Sequence, residues 1–337
     1  MQTYILRRVL NLIPVLFLIS LGVFVLLRLV PADLAEIHAG LYGTEQDIEQ
    51  LREQFGLDKP MLVTLAWPWE GEFAWPWEGK FWHTQYFEWL GSALQGDLGE
   101  SAFPNKPQGV TAELLDRLPV TAELLILTLI FTIAFGIPIG IISAVWQNSP
   151  VDYLMRGGSI LGLSVPAFWL ATLVILIPSL IWSYAPPLGY VAFFDDPWAN
   201  LRQFVPPALI LSAGSAAVVM RLARSSLLEV LRNDYIRTAR AKGLRERTVL
   251  FRHALKNSLI PVLTILSLQV ATLLGGSVII ELVFDLRGIG LLTFLAILQR
   301  DYPVVQGVAL YIAFIFVMVN LTVDIAYAWL DPRIRYG

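Results

Sequence analysis

The sequence predicts an all-α membrane protein with six transmembrane helices and a large extracytoplasmic loop after the first. Of its 337 residues, 56% are hydrophobic and 15% are charged, whereas a soluble domain typically has about 25% charged residues. The mean hydropathy is +0.63, and the apolar residues form long blocks. A membrane-spanning helix needs about 20 mainly apolar residues. Six blocks qualify: 9–30, 120–146, 157–183, 205–224, 259–283 and 304–328.

The first block follows Arg7 and Arg8, as the apolar core of a signal peptide follows its basic start. Its apolar run from Val9 to Leu27 is longer than a usual signal core, and no small-residue cleavage site follows it. We interpret residues 1–30 as an N-terminal anchor helix that is retained. A removed signal peptide is the alternative.

The distribution of charge predicts the orientation. Between Arg221 and Lys256 the chain has ten Lys or Arg and three acidic residues, whereas residues 31–118 carry fifteen acidic and five basic residues. Because basic loops are retained in the cytoplasm, both termini are predicted to be cytoplasmic. This divides the chain into the anchor helix, an extracytoplasmic region (31–118), a five-helix core (119–330) and a cytoplasmic tail (331–337).

The extracytoplasmic region is too long for a simple connection and should have structure of its own. Apolar spacing predicts a helix over Thr44 to Gln54. A tandem duplication follows, in which Ala66–Phe73 is repeated as Ala74–Phe81, and six of the eleven tryptophans lie in or near it. Such a segment is a docking surface for a partner or an insertion at the membrane interface, where Trp is favoured.

Proline and glycine within the predicted helices indicate bends and close helix approach. These residues suit a bundle that rearranges around a pathway, although static membrane bundles contain them as well. They are Pro138, Pro166, Pro178 and Pro261, with Gly136, Gly140, Gly162, Gly275 and Gly276.

The basic segment has the pattern of two short helices separated by a glycine. Helix-favouring residues precede Gly243, which is well placed to end a helix in the left-handed conformation. A second helix is predicted from Glu246 to Asn257, before Pro261 enters the fifth span. Such a unit forms a rigid projection on the surface, to which another protein can bind. The alternative is an ordinary basic loop with no partner.

This basic segment also resembles part of a known family of membrane proteins. Tyr235 to Gly243, followed by His253-Ala-Leu-Lys-Asn257, is similar to the coupling segment of binding-protein-dependent ABC importer permeases of the dipeptide, oligopeptide and nickel branch. The sequence differs from the general importer pattern at Arg237, where Glu is common, and at Lys256, where Pro is common. Further similar stretches cover nearly the whole chain: Ile5–Arg8, Phe55–Pro60, Gly96–Gly99, Arg300–Gly307 and Asp331–Arg335.

The resemblance implies a permease subunit in a bacterial or archaeal inner membrane. Its implied partners are a second homologous permease subunit, two cytoplasmic ABC ATPases, an extracytoplasmic substrate-binding protein and membrane lipid, but no nucleic acid. ATP and Mg²⁺ are implied on the ATPases, with no cofactor on this chain. The coupling segment, residues 225–258, would transmit ATPase movement through Tyr235, Arg237, Thr238, Ala239, Arg240, Ala241, Lys242, Gly243, His253 and Asn257.

The residues themselves indicate no catalysis on this chain. It lacks a Gly-x-x-x-x-Gly-Lys-[Ser/Thr] phosphate loop, cysteines, metal-ligand spacing and catalytic motifs. The competing function is an ion-gradient-coupled secondary transporter, for which Asp324 is the best candidate carboxylate. A non-transporting scaffold or an intramembrane enzyme is a weaker alternative. We expect Arg28, Arg221, Glu281 and Asp324 to lie toward helix ends, where snorkelling or partner contacts accommodate their charges.

Polar residues in the spans are candidates for the pathway between two permease subunits, or simply join helices by hydrogen bonds. They are Ser164, Ser267, Gln269, Thr272 and Ser277. The loop Phe284–Gly290 is a candidate contact for the binding protein. Peptide is the leading cargo by resemblance; nickel, glutathione-like peptides and oligosaccharides remain open.

Overall fold

The computed structural model describes residues 2–29, 44–54, 84–101, 109–183 and 189–330, and these are mainly helical. The helices are α1 (Gln2–Arg28), α2 (Glu45–Gln54), α3 (Gln85–Leu94), α4 (Val110–Val145), α5 (Pro150–Ser164), α6 (Ala167–Trp182), α7 (Pro197–Leu231), α8 (Asp234–Ala241), α9 (Glu246–Ser258), α10 (Ile260–Val283), α11 (Ile289–Gln299) and α12 (Tyr302–Leu330). Several predictions fall outside the described residues: the Trp-rich duplication, the Phe55–Pro60 stretch, the tail 331–337 and the side chain of Asp324.

Four helices in the described part of the chain, α1, α4, α7 and α12, are long and apolar enough to cross a membrane. Two bent pairs, α5 with α6 and α9 with α10, also satisfy the test, which gives up to six spans. The prediction of a helical multi-pass protein is therefore confirmed. The helix predicted over Thr44 to Gln54 is also present as α2.

The segment 157–183, predicted as one span with a bend at Pro166, consists of two helices at a sharp angle. The segment contains the end of α5 and all of α6, which meet at an angle of 91°. Val165, between them, has the extended conformation (φ −88°, ψ 122°). The cause is Pro166, because a proline has no N–H for the helix ladder and disfavours helical geometry in the residue before it.

Two other spans belong to helices longer than hydropathy alone predicted. Helix α4 begins at Val110 rather than at 120. Helix α7 runs over 35 residues instead of 205–224. It begins after Asp196, whose carboxylate accepts hydrogen bonds from the backbone N–H groups of Trp198 and Ala199 at 3.1 and 3.0 Å. This N-cap satisfies donors that have no partner within the helix.

The chain divides into two compact units. The first comprises residues 1–12, 117–292 and 315–337. In it, Gly136 and Gly140 of α4 lie against α7. A methyl group at Gly140 would lie 2.7 Å from the backbone oxygen of Met220 and 2.8 Å from Cβ of Ala223. The predicted close approach at Gly136, Gly140 and Gly162 is confirmed, whereas Gly275 faces open space.

The second unit comprises residues 13–116 and 293–314. Its core includes the buried rings of Phe24 and Tyr86, whose centroids are 5.3 Å apart in an edge-to-face arrangement. The hydroxyl groups of Tyr86 and Ser20 are hydrogen-bonded at 2.8 Å. Ser101 donates to the buried carboxylate of Asp301 at 2.6 Å. These buried polar groups therefore have partners within their own unit, as burial requires.

Candidate coupling site

The coupling segment packs against the rest of the first unit through a cluster of buried apolar residues, which forms its apolar base. Helix α8 turns Ile236 and Ala239 inward, three residues apart and therefore on one face. They pack in one cluster with residues of α4, α7 and α9: Ala144, Leu227, Val249, Ala254 and Leu255. The other face of α8 is exposed and carries its charges. The segment is thus anchored by apolar contacts, which leaves its charged groups available on the surface.

Gly243 turns the chain between α8 and α9. Its φ is +74°, in the left-handed region that favours glycine. The N–H of Gly243 donates to the carbonyl of Arg240 at 2.9 Å, and the N–H of Leu244 donates to that of Ala239 at 3.4 Å. This pair of bonds is a Schellman motif, which satisfies carbonyls at a helix end. The predicted left-handed termination at Gly243 is confirmed.

Side-chain contacts tie the two short helices together across the turn. The Asn257 side-chain amide donates to the Tyr235 hydroxyl at 2.9 Å, and that hydroxyl donates to the carbonyl of His253 at 3.5 Å. Nearer the turn, the Arg240 guanidinium binds both carboxylate oxygens of Glu246, at 2.8 and 3.3 Å. The turn therefore has a fixed shape, although each exposed contact contributes at most about 1 kcal/mol to stability.

The ten predicted coupling residues all lie on this one unit. Ala239 is buried, and His253 is half-buried. The others are exposed: Tyr235, Arg237, Thr238, Arg240, Ala241, Lys242, Gly243 and Asn257. The second predicted helix is also present as α9, with a π-helical stretch from Val249 to Ala254. The ten residues therefore lie on one surface except Ala239, which belongs to the buried base, and their role in coupling stays a prediction.

An open cavity of about 420 Å³ lies beside the turn. Arg232, Arg240, Glu246 and Arg247 provide charge at its wall, and Leu228, Leu231, Leu250 and Phe251 provide apolar surface. Phe251 is 59% exposed and Leu244 is 40% exposed, although both are large apolar side chains. The concavity thus combines apolar surface with mainly basic side chains.

A buried ion pair fixes α7 beneath the coupling segment, and the sequence analysis missed it. Asp152, fully buried in α5, accepts bonds from Nε and Nη2 of Arg224 in α7, at 2.9 and 2.8 Å. Ser143 and the backbone N–H of Asn148 also donate to this carboxylate. A bidentate pair with further hydrogen bonds offsets the cost of burying both charges. It therefore joins the α4–α5 turn to the helix that leads into α8.

The structure does not bring the five candidate pathway residues together. Ser164 and Thr272 are exposed, and Gln269 is half-buried. Ser267 and Ser277 are buried; Ser267 donates to the carbonyl of Thr264, and the proton of the Ser277 hydroxyl is shared between the carbonyl of Leu274 and the Glu281 carboxylate. The exposed face of α10 recurs every three or four residues: Pro261, Thr264, Leu268, Thr272, Gly275, Ile279 and Leu282. Of the four candidates in α10, Thr272 alone lies on this face.

Glu281 lies near the end of α10, as expected. However, its side chain is fully buried and bound by groups of its own subunit, so its charge is accommodated neither by snorkelling nor by a partner.

Comparison with known protein families shows the family to which the chain belongs. The profile of binding-protein-dependent transport system inner membrane components matches residues 136–336, and the N-terminal profile of these membrane components matches residues 1–128. The chain belongs to this family. The permease is thus a multi-pass inner-membrane subunit of an ABC import system, which works with an ATPase and a substrate-binding protein.

Whole-length relatives agree with this assignment. The permease is 39% identical over 336 residues to a Brucella abortus (strain 2308) protein named as a peptide transport system permease, with 100% of both chains covered. It is 38% identical over 336 residues to the glutathione transport system permease protein GsiC of Escherichia coli K12, again with 100% of both covered.

A solved structure shares the fold of part of the permease. A chain of the MetNI methionine ABC transporter in an inward-facing conformation superimposes with a TM-score of 0.52 at 17% identity. The match covers 65% of the permease and 96% of that chain. At this identity the likeness establishes the fold alone.

Proposed function

We propose that the permease carries di- or oligopeptides and forms half of a translocation pathway with a second, homologous permease subunit. The names of two whole-length relatives support a peptide cargo, because glutathione is itself a tripeptide. The exposed stripe on α10 supports a pathway shared with a partner, because its alternating small, polar and apolar residues are left uncovered by the subunit itself.

The proposed topology has six spans and both termini in the cytoplasm, which places the coupling segment on the cytoplasmic side. Two ATPases would bind there, and ATP and Mg²⁺ would be held by those subunits. The charge distribution supports this orientation, since the basic residues are concentrated between Arg221 and Lys256. The loop Phe284–Gly290, at the opposite end of α10, would face the substrate-binding protein.

The observation that carries the coupling role is a turn of fixed shape on an apolar base. Because the turn has a fixed shape, an ATPase bound to α8 and Gly243 would move this segment without deforming it. The movement would reach α7, because Leu227 of α7 is part of the apolar base. Helix α7 is about 50 Å long, at 1.5 Å per residue. It is bonded to α5 through Arg224 and Asp152. Through α7, the state of the ATPase would thus decide which of two permease conformations is favoured.

The assembly is tested by purifying the tagged permease gently from its native membrane and identifying what accompanies it by mass spectrometry. We expect a second permease and ABC ATPases. The purified complex is then placed in liposomes with its binding protein and ATP, and uptake of a labelled dipeptide, glutathione and Ni²⁺ is compared. ATP-dependent peptide uptake is expected. Uptake by the permease alone in a proton or sodium gradient would contradict the proposal.

A further inference from the structure

Glu281 is a fully buried carboxylate with no cation beside it among the contacts of the described residues. One oxygen, Oε1, accepts from the hydroxyl groups of Thr121 in α4 and Ser277 in α10, at 3.2 and 3.1 Å. The other, Oε2, accepts from the backbone N–H of Leu291 at 2.8 Å, and the N–H of Gly290 is a further donor. The carboxylate is thus surrounded by four donors from three parts of the first unit.

Two of those donors belong to the first turn of α11. The N–H groups at a helix start have no partner within the helix and usually bond to a local Ser, Thr, Asp or Asn. Here the residue before α11 is Gly288, which has no side chain to offer. Glu281 takes the place of the missing cap from another helix, and its negative charge also suits the positive end of the helix dipole.

Thr121 completes the cap. Its hydroxyl accepts from the N–H of Ile289 at 2.8 Å and donates to Glu281. A hydroxyl has one proton to give, so these two bonds use it in a consistent direction. The start of α11 is therefore bound to α4 through Thr121 and to α10 through Glu281.

The glycines of the preceding loop are explained by this carboxylate. A Cβ at Gly288 would lie 2.5 Å from the Thr121 hydroxyl and 2.6 Å from the Glu281 carboxyl group, and one at Gly290 would lie 2.9 Å from Oε2. At such distances something must shift, so a methyl group at either position would displace the Thr121 hydroxyl or the Glu281 carboxyl group. Glycine at positions 288 and 290 thus leaves room for the bonds to Glu281.

The loop Phe284–Gly290, which is bonded to Glu281, exposes two charged side chains. Leu286 and Ile289 are buried, whereas Asp285 and Arg287, on either side of Leu286, are exposed. Asp285 has a φ of +52°, a conformation uncommon outside glycine. Because this loop backbone is bonded at its far end to Glu281, the direction of both exposed side chains depends on that carboxylate.

We propose that Glu281 is a positioning residue for transport: it fixes the loop Phe284–Gly290 so that Asp285 and Arg287 meet complementary charges of the substrate-binding protein. The proposal rests on the proposed function, since it takes this loop to be extracytoplasmic. Glu281 touches no cargo and acts only through the loop.

The absence of cysteine in the sequence allows a direct test. A spin label is attached to the full chain, within its complex in lipid nanodiscs, at Arg287→Cys. A second preparation carries the label at Lys242→Cys in the coupling turn. The Glu281→Gln change is then introduced, because glutamine retains the shape but can accept hydrogen bonds at only one of its two end atoms. The matched control is Asp116→Asn, which alters an exposed carboxylate of α4.

We expect Glu281→Gln to mobilise the label at position 287 and to leave the label at 242 unchanged. In the unlabelled complex, with binding protein and a dipeptide present, Glu281→Gln should raise the binding-protein concentration that half-maximally stimulates the ATPase at least tenfold, while the maximal rate is kept. Asp116→Asn should change neither. Gly288→Ala should reproduce the effect, and Gly288→Ala with Glu281→Gln should add little to either change alone.

Three results would overturn the proposal. An unchanged spectrum at position 287 would show that Glu281 does not fix the loop, whether or not the permease imports peptides. A mobile loop with unchanged binding-protein affinity would show that its position does not matter for transport. A more mobile label at position 242 as well would assign Glu281 a general structural role instead. The two spectra do not depend on the cargo, whereas failure of ATP-dependent peptide uptake in the unmodified complex would count against the proposed function alone.

Discussion

The coupling segment and the Glu281 cap lie at opposite ends of α10, and they use charge in opposite ways. In the coupling segment, Arg240 and Glu246 form an exposed pair above an apolar base. At the other end, the carboxylate of Glu281 is buried. The direction of the exposed side chains of Asp285 and Arg287 depends on it. Exposed charges contribute little to stability and remain available to a partner. A buried, fully bonded charge specifies one local arrangement.

A second buried carboxylate extends this contrast to the coupling side. Asp152 holds Arg224 beneath the coupling segment, as Glu281 holds α11 at the opposite end. The permease thus has buried polar centres that fix its helices and an exposed basic surface that they support. Substitutions in the two classes should separate stability from coupling.

The largest effect is expected for Asp152→Ala. It leaves the Arg224 guanidinium, whose side chain is 18% exposed, without its carboxylate. Breaking a buried pair on one side typically costs about 3–5 kcal/mol. Thermal unfolding of the purified chain in detergent should show a clear loss of stability, and Asp116→Ala should show none. Equal melting of the two variants would contradict the role of this pair.

Glu281→Gln should rank second. The amide leaves at least one buried N–H or hydroxyl donor without an acceptor, at a cost of about 1–3 kcal/mol. The same melting experiment measures it. Ser277→Ala removes one donor and leaves the α11 cap in place, so its loss should be smaller. A larger loss for Ser277→Ala would show that the helix cap is not the important contact.

Gly243→Ala tests the turn itself. A methyl group there meets no atom within 4 Å, so the expected penalty comes from backbone strain at a φ of +74°. That strain is about 1–2 kcal/mol for an L-residue. Gly157→Ala is the control, because Gly157 also faces open space but lies within α5 and has no positive φ. It should be neutral or slightly stabilising. Transport should fall only in Gly243→Ala, and equal behaviour of the two would exclude a special role for the turn.

These regions also differ in how well the sequence predicts them. The coupling segment was predictable because its signals are local: Gly243 ends one helix, and apolar and basic residues alternate on either side of it. The Asp152 and Glu281 centres were not, because each joins residues far apart in the chain, such as Thr121 and Glu281. Hydropathy likewise indicated apolar segments but not the break within 157–183, which remains apolar through the bend; Pro166 is the residue that predicted a bend there.

The smallest effect on stability should accompany the largest effect on coupling. Lys242→Glu and Arg237→Glu reverse exposed charges on the coupling segment, and each should change the free energy of unfolding by less than about 1 kcal/mol. If an ATPase grips this surface, however, each should weaken the contact through which its movement reaches α7. Arg202→Glu, an exposed charge near the other end of α7, is the matched control.

The coupling role of residues 225–258 is tested most directly by the number of peptides imported per ATP hydrolysed by the complete complex in proteoliposomes. We expect Lys242→Glu to lower this ratio at least tenfold while the complex stays assembled and melts like the unmodified one. Arg202→Glu should leave the ratio unchanged. An unchanged ratio in a folded, assembled Lys242→Glu complex would contradict the assignment of residues 225–258 as the coupling segment.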